Sequence, residues 1–219
     1  MVAAKMNPLI TEYSRRLNSS RVPTARDAKE LLTASIHEAG HWMAFAHYKI
    51  PVVEAKVGRG RDAGGGIVIP TDFLGFVPEE KEHEVDYIST VAGAFAVGTL
   101  EPFVERQVNL ATSMNDIGIV RNLLDNVHGN DTASRKLFKE KNARVTELLI
   151  HQNWSVIEAL AYELMKHGSF FGGECRKVEM RYGIGRHSLI ATKLQSAQRR
   201  LEDFHSSPAT LLEALLAMS

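Results

Sequence analysis

Apolar residues recur at helical spacing near the start of the chain, and this pattern predicts a long, mostly buried helix. They are Ala28, Leu31, Leu32, Ile36, Ala39, Met43 and Ala46. Steps of three and four residues follow one face of an α-helix. Pro23 suits a helix start, and Thr24 with Asp27 three residues later resembles a capping box. We therefore expect a helix from about residue 24 to Lys49.

Beyond Pro51 the pattern predicts a small β-hairpin and then a series of helices. Residues 52–57 alternate as a strand, residues 58–66 form a glycine-rich turn, and residues 67–69 form the returning strand. Helical patterns follow at residues 79–100, 101–111, 116–127, 132–167 and 174–180, with two more in 187–218. The long pattern at 132–167 contains a candidate interruption at Asn153-Trp154. The predicted fold class is mainly α, with one small β-hairpin after the first helix.

Length, charge and cysteine content limit the number of domains, the partners and the cellular compartment that we expect. The 219 residues suit one large domain or one domain with an appendage. The net charge is zero, so there is no basic excess of the kind that binds nucleic acid. The single cysteine, Cys175, cannot form an internal disulfide, which suits a reducing compartment. With no N-terminal apolar segment and no run of about 18 apolar residues, we expect a cytoplasmic protein without membrane or nucleic-acid partners.

The strongest chemical signal is the box His37-Glu38-Ala39-Gly40-His41, which lies within the first predicted helix. Residues four apart are neighbours on one helix face, so both imidazoles can reach the same metal ion. Glu38 would then stand beside the metal, where hydrolysis needs a general base. Gly40 is a poor helix former, and its presence predicts that another backbone packs closely against the helix. The box thus predicts His37 and His41 as metal ligands and Glu38 as the catalytic residue.

A catalytic zinc ion normally takes three protein ligands, and the first candidate for the third is His47. It would nearly complete the metzincin pattern H-E-x-x-H-x-x-G-x-x-H. Ala44, however, stands where that pattern needs a glycine for a sharp turn. On a continuous helix His47 lies about 600° past His41, well away from the direction of that ligand.

Two further candidates lie downstream. The pair Glu101 and Glu105 would make a gluzincin-like site, although Pro102 suits the edge of a helix and not its interior. Asp116 is the other candidate and lies 75 residues beyond His41. The residues alone leave these alternatives open.

The stretch Thr112-Ser113-Met114-Asn115-Asp116, with the elements before it, resembles the peptidase domain of the FtsH-type AAA+ zinc metalloproteases. In that family an HEAGH box is followed by a β-hairpin, a small-residue helix and an Asn-Asp pair at similar spacing. The resemblance covers about residues 28–178, with the small-residue helix at 92–101 and the third-ligand helix at 110–123. It implies that Asp116 is the third ligand, that the metal is zinc, and that the reaction is peptide-bond hydrolysis.

The chain also departs from that family. Its members usually carry an arginine and an acidic residue in the small-residue helix, where this chain has Ala94 and Val97. The phosphate loop G-x-x-x-x-G-K-[ST] of the family's ATPase does not occur in these 219 residues. We also expect no transmembrane helix before the peptidase-like part. We therefore expect proteolysis that is independent of ATP in this chain.

These observations lead to one working hypothesis. We expect a polar lead-in at residues 1–22, an FtsH-like peptidase domain at 23–180, and a helical extension at 181–219 packed on the same domain. The expected function is ATP-independent, zinc-dependent endoproteolysis of unfolded or flexible protein segments, which would pair with an exposed edge of the hairpin. The alternatives are a regulatory H-E-x-x-H protease that cuts one partner and a non-catalytic zinc-binding module. Partners are a protein or peptide substrate, and homo-oligomer formation stays open.

Overall fold

A helix at the centre of the molecule organises the fold. The computed structural model describes residues 25–58, 66–71, 76–100 and 113–184. The central helix α1 spans Ala25–His47, and every residue from Leu31 to Ala46 is buried. A helix that is buried on all sides belongs to the core of a domain. This agrees with the long, mostly buried helix expected from the apolar spacing.

Five further α-helices and three strands follow α1 in the described part of the chain. In order they are β1 (Val52–Val57), β2 (Gly66–Pro70), α2 (Glu82–Thr99), α3 (Met114–His128), α4 (Thr132–Gln152), α5 (Trp154–His167), β3 (Ser169–Phe171) and α6 (Gly173–Arg181). A 3₁₀ turn at Glu79–Lys81 leads into α2. Helices α2 and α5 and strand β1 pack against α1. The prediction of a mainly helical fold is confirmed.

The sheet has one strand more than the predicted hairpin. β1 pairs antiparallel with β2 on one side and with β3 on the other, in the order β2-β1-β3. Ala55 is central, facing Val68 on β2 and Phe170 on β3. The prediction of a single hairpin was therefore incomplete. β3 has only three residues, and so short a segment cannot show a recognisable alternation of apolar and polar residues.

The long helical pattern at residues 132–167 is divided in two at Asn153. The side-chain amide of Asn153 donates a hydrogen bond to the carbonyl oxygen of Leu149 at 2.8 Å. Its backbone N–H is shared between the carbonyls of Leu149 and Ile150, both at 3.2 Å. These bonds close α4, and α5 begins at Trp154, so the candidate interruption is real. The helices predicted at 101–111 and 187–218, the lead-in and most of the C-terminal extension lie outside the described residues.

The contact between α1 and α2 depends on Gly40. A Cβ atom at this position would lie 2.6 Å from the carbonyl oxygen of Ala92 and 2.9 Å from Ala96 Cβ. Only glycine permits so close an approach, which offsets its cost of about 1 kcal/mol in a helix. The expected close backbone packing at Gly40 is confirmed. None of the described helices is long and apolar enough to cross a membrane.

Candidate metal centre

Three side chains converge at the middle of α1. His37 and His41 are one helical turn apart and buried, and their Nε2 atoms lie 3.0 Å from each other. Asp116, in the first turn of α3, places Oδ2 2.9 Å from His37 Nε2 and 3.4 Å from His41 Nε2. The three residues form a buried or half-buried group that could hold a metal ion.

The chemistry of these atoms fits a cation. Asp116 Oδ2 is buried and accepts no hydrogen bond from the described residues. His41 Nδ1 lies 2.7 Å from the backbone carbonyl oxygen of Ser89. Because a carbonyl can only accept, Nδ1 carries the proton and Nε2 keeps its lone pair. Asp116 Oδ2 and the lone pair of His41 Nε2 thus face each other with no hydrogen between them, and a metal ion would satisfy both. A histidine that binds metal through one ring nitrogen and donates the other N–H to a backbone carbonyl is typical of zinc sites.

The electrostatics of the group follow from burial and mutual contact. Burial raises the pKa of Asp116, but the close contact of its carboxylate with the imidazoles of His37 and His41 outweighs this effect and holds the pKa at about 2. Burial lowers the pKa of His37 more than Asp116 raises it. At His41 burial also favours the neutral ring, yet Asp116 and Glu38 together raise the pKa. Asp116 is thus an anion at neutral pH, as a ligand must be.

Glu38 is buried beside the candidate ligands, next to His37 in the chain, with 6% of its surface exposed. Burial raises its pKa to about 7, and the charge of His41 partly opposes the rise. The side chain also abuts the first residue of β2. A Cβ atom at Gly66 would lie 2.5 Å from Glu38 Cγ and 2.6 Å from Glu38 Oε1. The start of β2 therefore stands directly against the Glu38 carboxylate.

Gly93 on α2 is what allows the two histidines to lie against that helix. A Cβ atom here would be 2.5 Å from His41 Nε2 and 2.8 Å from both Cδ2 and Cε1 of His37. Real side chains essentially never approach so closely, and the contacted atoms include a candidate metal ligand. Gly93 thus leaves the space that the imidazoles fill.

We expect Gly93→Ala to weaken zinc binding by at least about tenfold, because its methyl group displaces the imidazole rings. Gly98→Ala is the matched control: it lies on the same helix, and a Cβ there meets no atom within 4 Å. Both substitutions gain up to about 1 kcal/mol of helix propensity. Zinc affinity measured by competition with a chromophoric chelator distinguishes them. Equal affinity in the two variants would contradict this account of Gly93.

The structure describes one of the alternative third ligands, His47, and places it away from the candidate metal group. His47 is the last residue of α1, which continues through the buried Ala44, and its ring packs edge-on against Tyr48 with centroids 4.9 Å apart. It does not belong to the candidate metal group. Glu101 and Glu105 lie outside the described residues.

Three contributors to the site were missed in the sequence: Ser89, Gly66 and Gly93. The resemblance placed a small-residue helix at residues 92–101, and that signal pointed to the region of Gly93. Ser89 contributes a backbone carbonyl, which any residue type offers, so no sequence signal existed for it. Gly66 was read as the end of a turn, although it is the first residue of β2.

A scan against protein-family models finds no match for this chain. A search of the curated proteins also finds no match. The resemblance to FtsH-type peptidases therefore remains a prediction that depends on the residues quoted for it.

Proposed function

We propose that this protein is a zinc-dependent endopeptidase that cleaves unfolded or flexible protein segments without ATP. The observation that carries the proposal is the convergence of His37, His41 and Asp116 on one point, with the Glu38 carboxylate buried beside them. Two imidazoles and one carboxylate are a ligand set of catalytic zinc, and three protein ligands leave one position for water. A structural zinc site would need four protein ligands.

Each residue of the site has a separate role in the proposed reaction. A zinc ion held there would supply Lewis acidity that brings the pKa of a water molecule down to about 7. Glu38 accepts the proton from that water and passes it to the departing amine. The carbonyl of Ser89, 2.7 Å from His41 Nδ1, holds that ring in the tautomer and orientation that ligation requires.

The sheet supports a mode of substrate binding. Among the described strands, β2 has a partner on one side only, and its first residue abuts Glu38. An extended chain that adds to this edge by backbone hydrogen bonds would be led to the reacting centre. Such pairing requires a chain that is free to extend. The substrates are therefore flexible segments, and folded domains are resistant.

The test is digestion of casein by the purified chain in the absence of ATP. We expect peptide release that a zinc chelator abolishes and that added zinc restores. If zinc binds stoichiometrically but neither casein nor short peptides are cut, the chain is a non-catalytic zinc-binding module. Zinc-dependent cleavage of one partner protein with casein left intact would instead support a regulatory protease. Cleavage that persists after complete removal of metal would contradict the proposal.

A further inference from the structure

No described strand pairs with the side of β2 that faces away from β1, and the register of this free edge is defined. Val57 donates its N–H to the carbonyl of Gly168 at 2.8 Å, so this residue of β1 faces β3. In antiparallel pairing the bonding direction alternates from residue to residue. Val57 lies opposite Gly66, and Ala55 lies opposite Val68. The N–H and C=O groups of Gly66 and Val68 therefore point away from β1, towards the free edge.

This free edge is short and has a fixed starting point. It begins at Gly66, against the Glu38 carboxylate. It ends at Pro70, which has no N–H and cannot donate to a further partner. A chain paired with β2 would thus start at the reacting centre and extend along the strand for only a few residues.

The outer face of β2 is aliphatic. Ile67 and Ile69 are two residues apart and therefore lie on the same face, and they are 46% and 37% exposed. Val68, between them, points to the opposite face and is half-buried. A strand added at the free edge would place alternate side chains beside Ile67 and Ile69, at cross-strand distance.

We propose that Ile67 and Ile69 select substrates with large aliphatic side chains at two alternate positions on one side of the scissile bond. This inference rests on the proposed function and deepens it by naming the substrate class. The fixed position of Gly66 at Glu38 makes the preference specific to position, because it sets the distance of both isoleucines from the reacting centre. A general preference for apolar sequences would not show this alternation.

The experiment measures kcat/KM for quenched fluorescent decapeptides in which leucine or serine is placed at each position in turn. For the wild-type protein we expect about a tenfold preference for leucine at two positions separated by one indifferent position. Ile67→Thr should remove the preference at one of them and Ile69→Thr at the other. Threonine keeps β-propensity, so β2 is retained. Phe171→Thr is the matched control: Phe171 is 52% exposed on β3, two strands away from the free edge, and its loss should leave both preferences intact.

A second measurement separates recognition from hydrolysis. Zinc-loaded Glu38→Gln should bind the same peptides with the same alternation, read by fluorescence anisotropy. If the wild-type protein cuts peptides but neither assay shows alternation, or if both threonine variants keep it, the inference is wrong and the proposed function stands. If nothing is cut yet binding alternates and depends on Ile67 and Ile69, the proposed function is wrong and the recognition surface stands.

Discussion

Glu38→Gln is expected to bind zinc as well as the wild-type protein and to lose about 10²- to 10⁴-fold in the rate of peptide hydrolysis. Glutamine has the shape of glutamate, so the close contact with Gly66 is kept. It cannot accept a proton from water at neutral pH. Among the described residues, the candidate metal group contains one acidic side chain, Asp116, and that residue has the role of a ligand in the proposal. The measurements are zinc content by mass spectrometry and kcat on a fluorescent peptide.

A second glutamate of α1 provides the control for that experiment. Glu30→Gln makes the same chemical change on the same helix, about two turns before His37, and should leave both zinc content and kcat near wild-type values. Near-normal hydrolysis by Glu38→Gln would rule out Glu38 as the general base. A parallel loss of zinc in that variant would mean that Glu38 supports the site structurally, and the drop in rate could not then be assigned to proton transfer.

The central part of the fold was readable from the sequence because its signals are local. Apolar residues at helical spacing and two histidines four apart depend only on the geometry of one helix, so α1 and the approach of His37 to His41 followed directly. The glycine at position 40 carried a packing signal as well, since a residue that weakens a buried helix needs a compensating contact. The structure shows that contact with Ala92.

Other features could not be predicted because they arise from contacts between distant segments. β3 becomes a strand only by pairing with β1, more than a hundred residues earlier, and its three residues carry no pattern of their own. The carbonyl that orients His41 belongs to the backbone at Ser89 and is invisible in a list of side chains. The choice of Asp116 came from a resemblance, because spacing along the chain leaves the position of α3 relative to α1 undetermined.

Asp116→Ala is expected to weaken zinc binding by more than about 100-fold. Removing a residue that only hydrogen-bonds to a metal ligand weakens metal binding about 10- to 100-fold, and Asp116 is proposed as one of the three ligands themselves. The protein should still fold. Asp116 lies in the first turn of α3, where the loss of its favourable interaction with the helix dipole costs about 0.3–1 kcal/mol. Zinc affinity and the unfolding temperature of the metal-free protein are measured together, so that ligand loss and misfolding are distinguished.

Two variants make the assignment of this ligand decisive. Asp125→Ala removes another aspartate from α3, one that forms an exposed ion pair with Arg135, and should leave zinc affinity unchanged. His47→Ala tests the metzincin-like alternative. Because α1 continues without a turn through Ala44, the ring of His47 stays away from the metal group, and its removal should also leave zinc bound. If Asp116→Ala keeps stoichiometric zinc and His47→Ala loses it, then His47 and not Asp116 is the third ligand. That result would require α1 to unwind at Ala44 when metal binds.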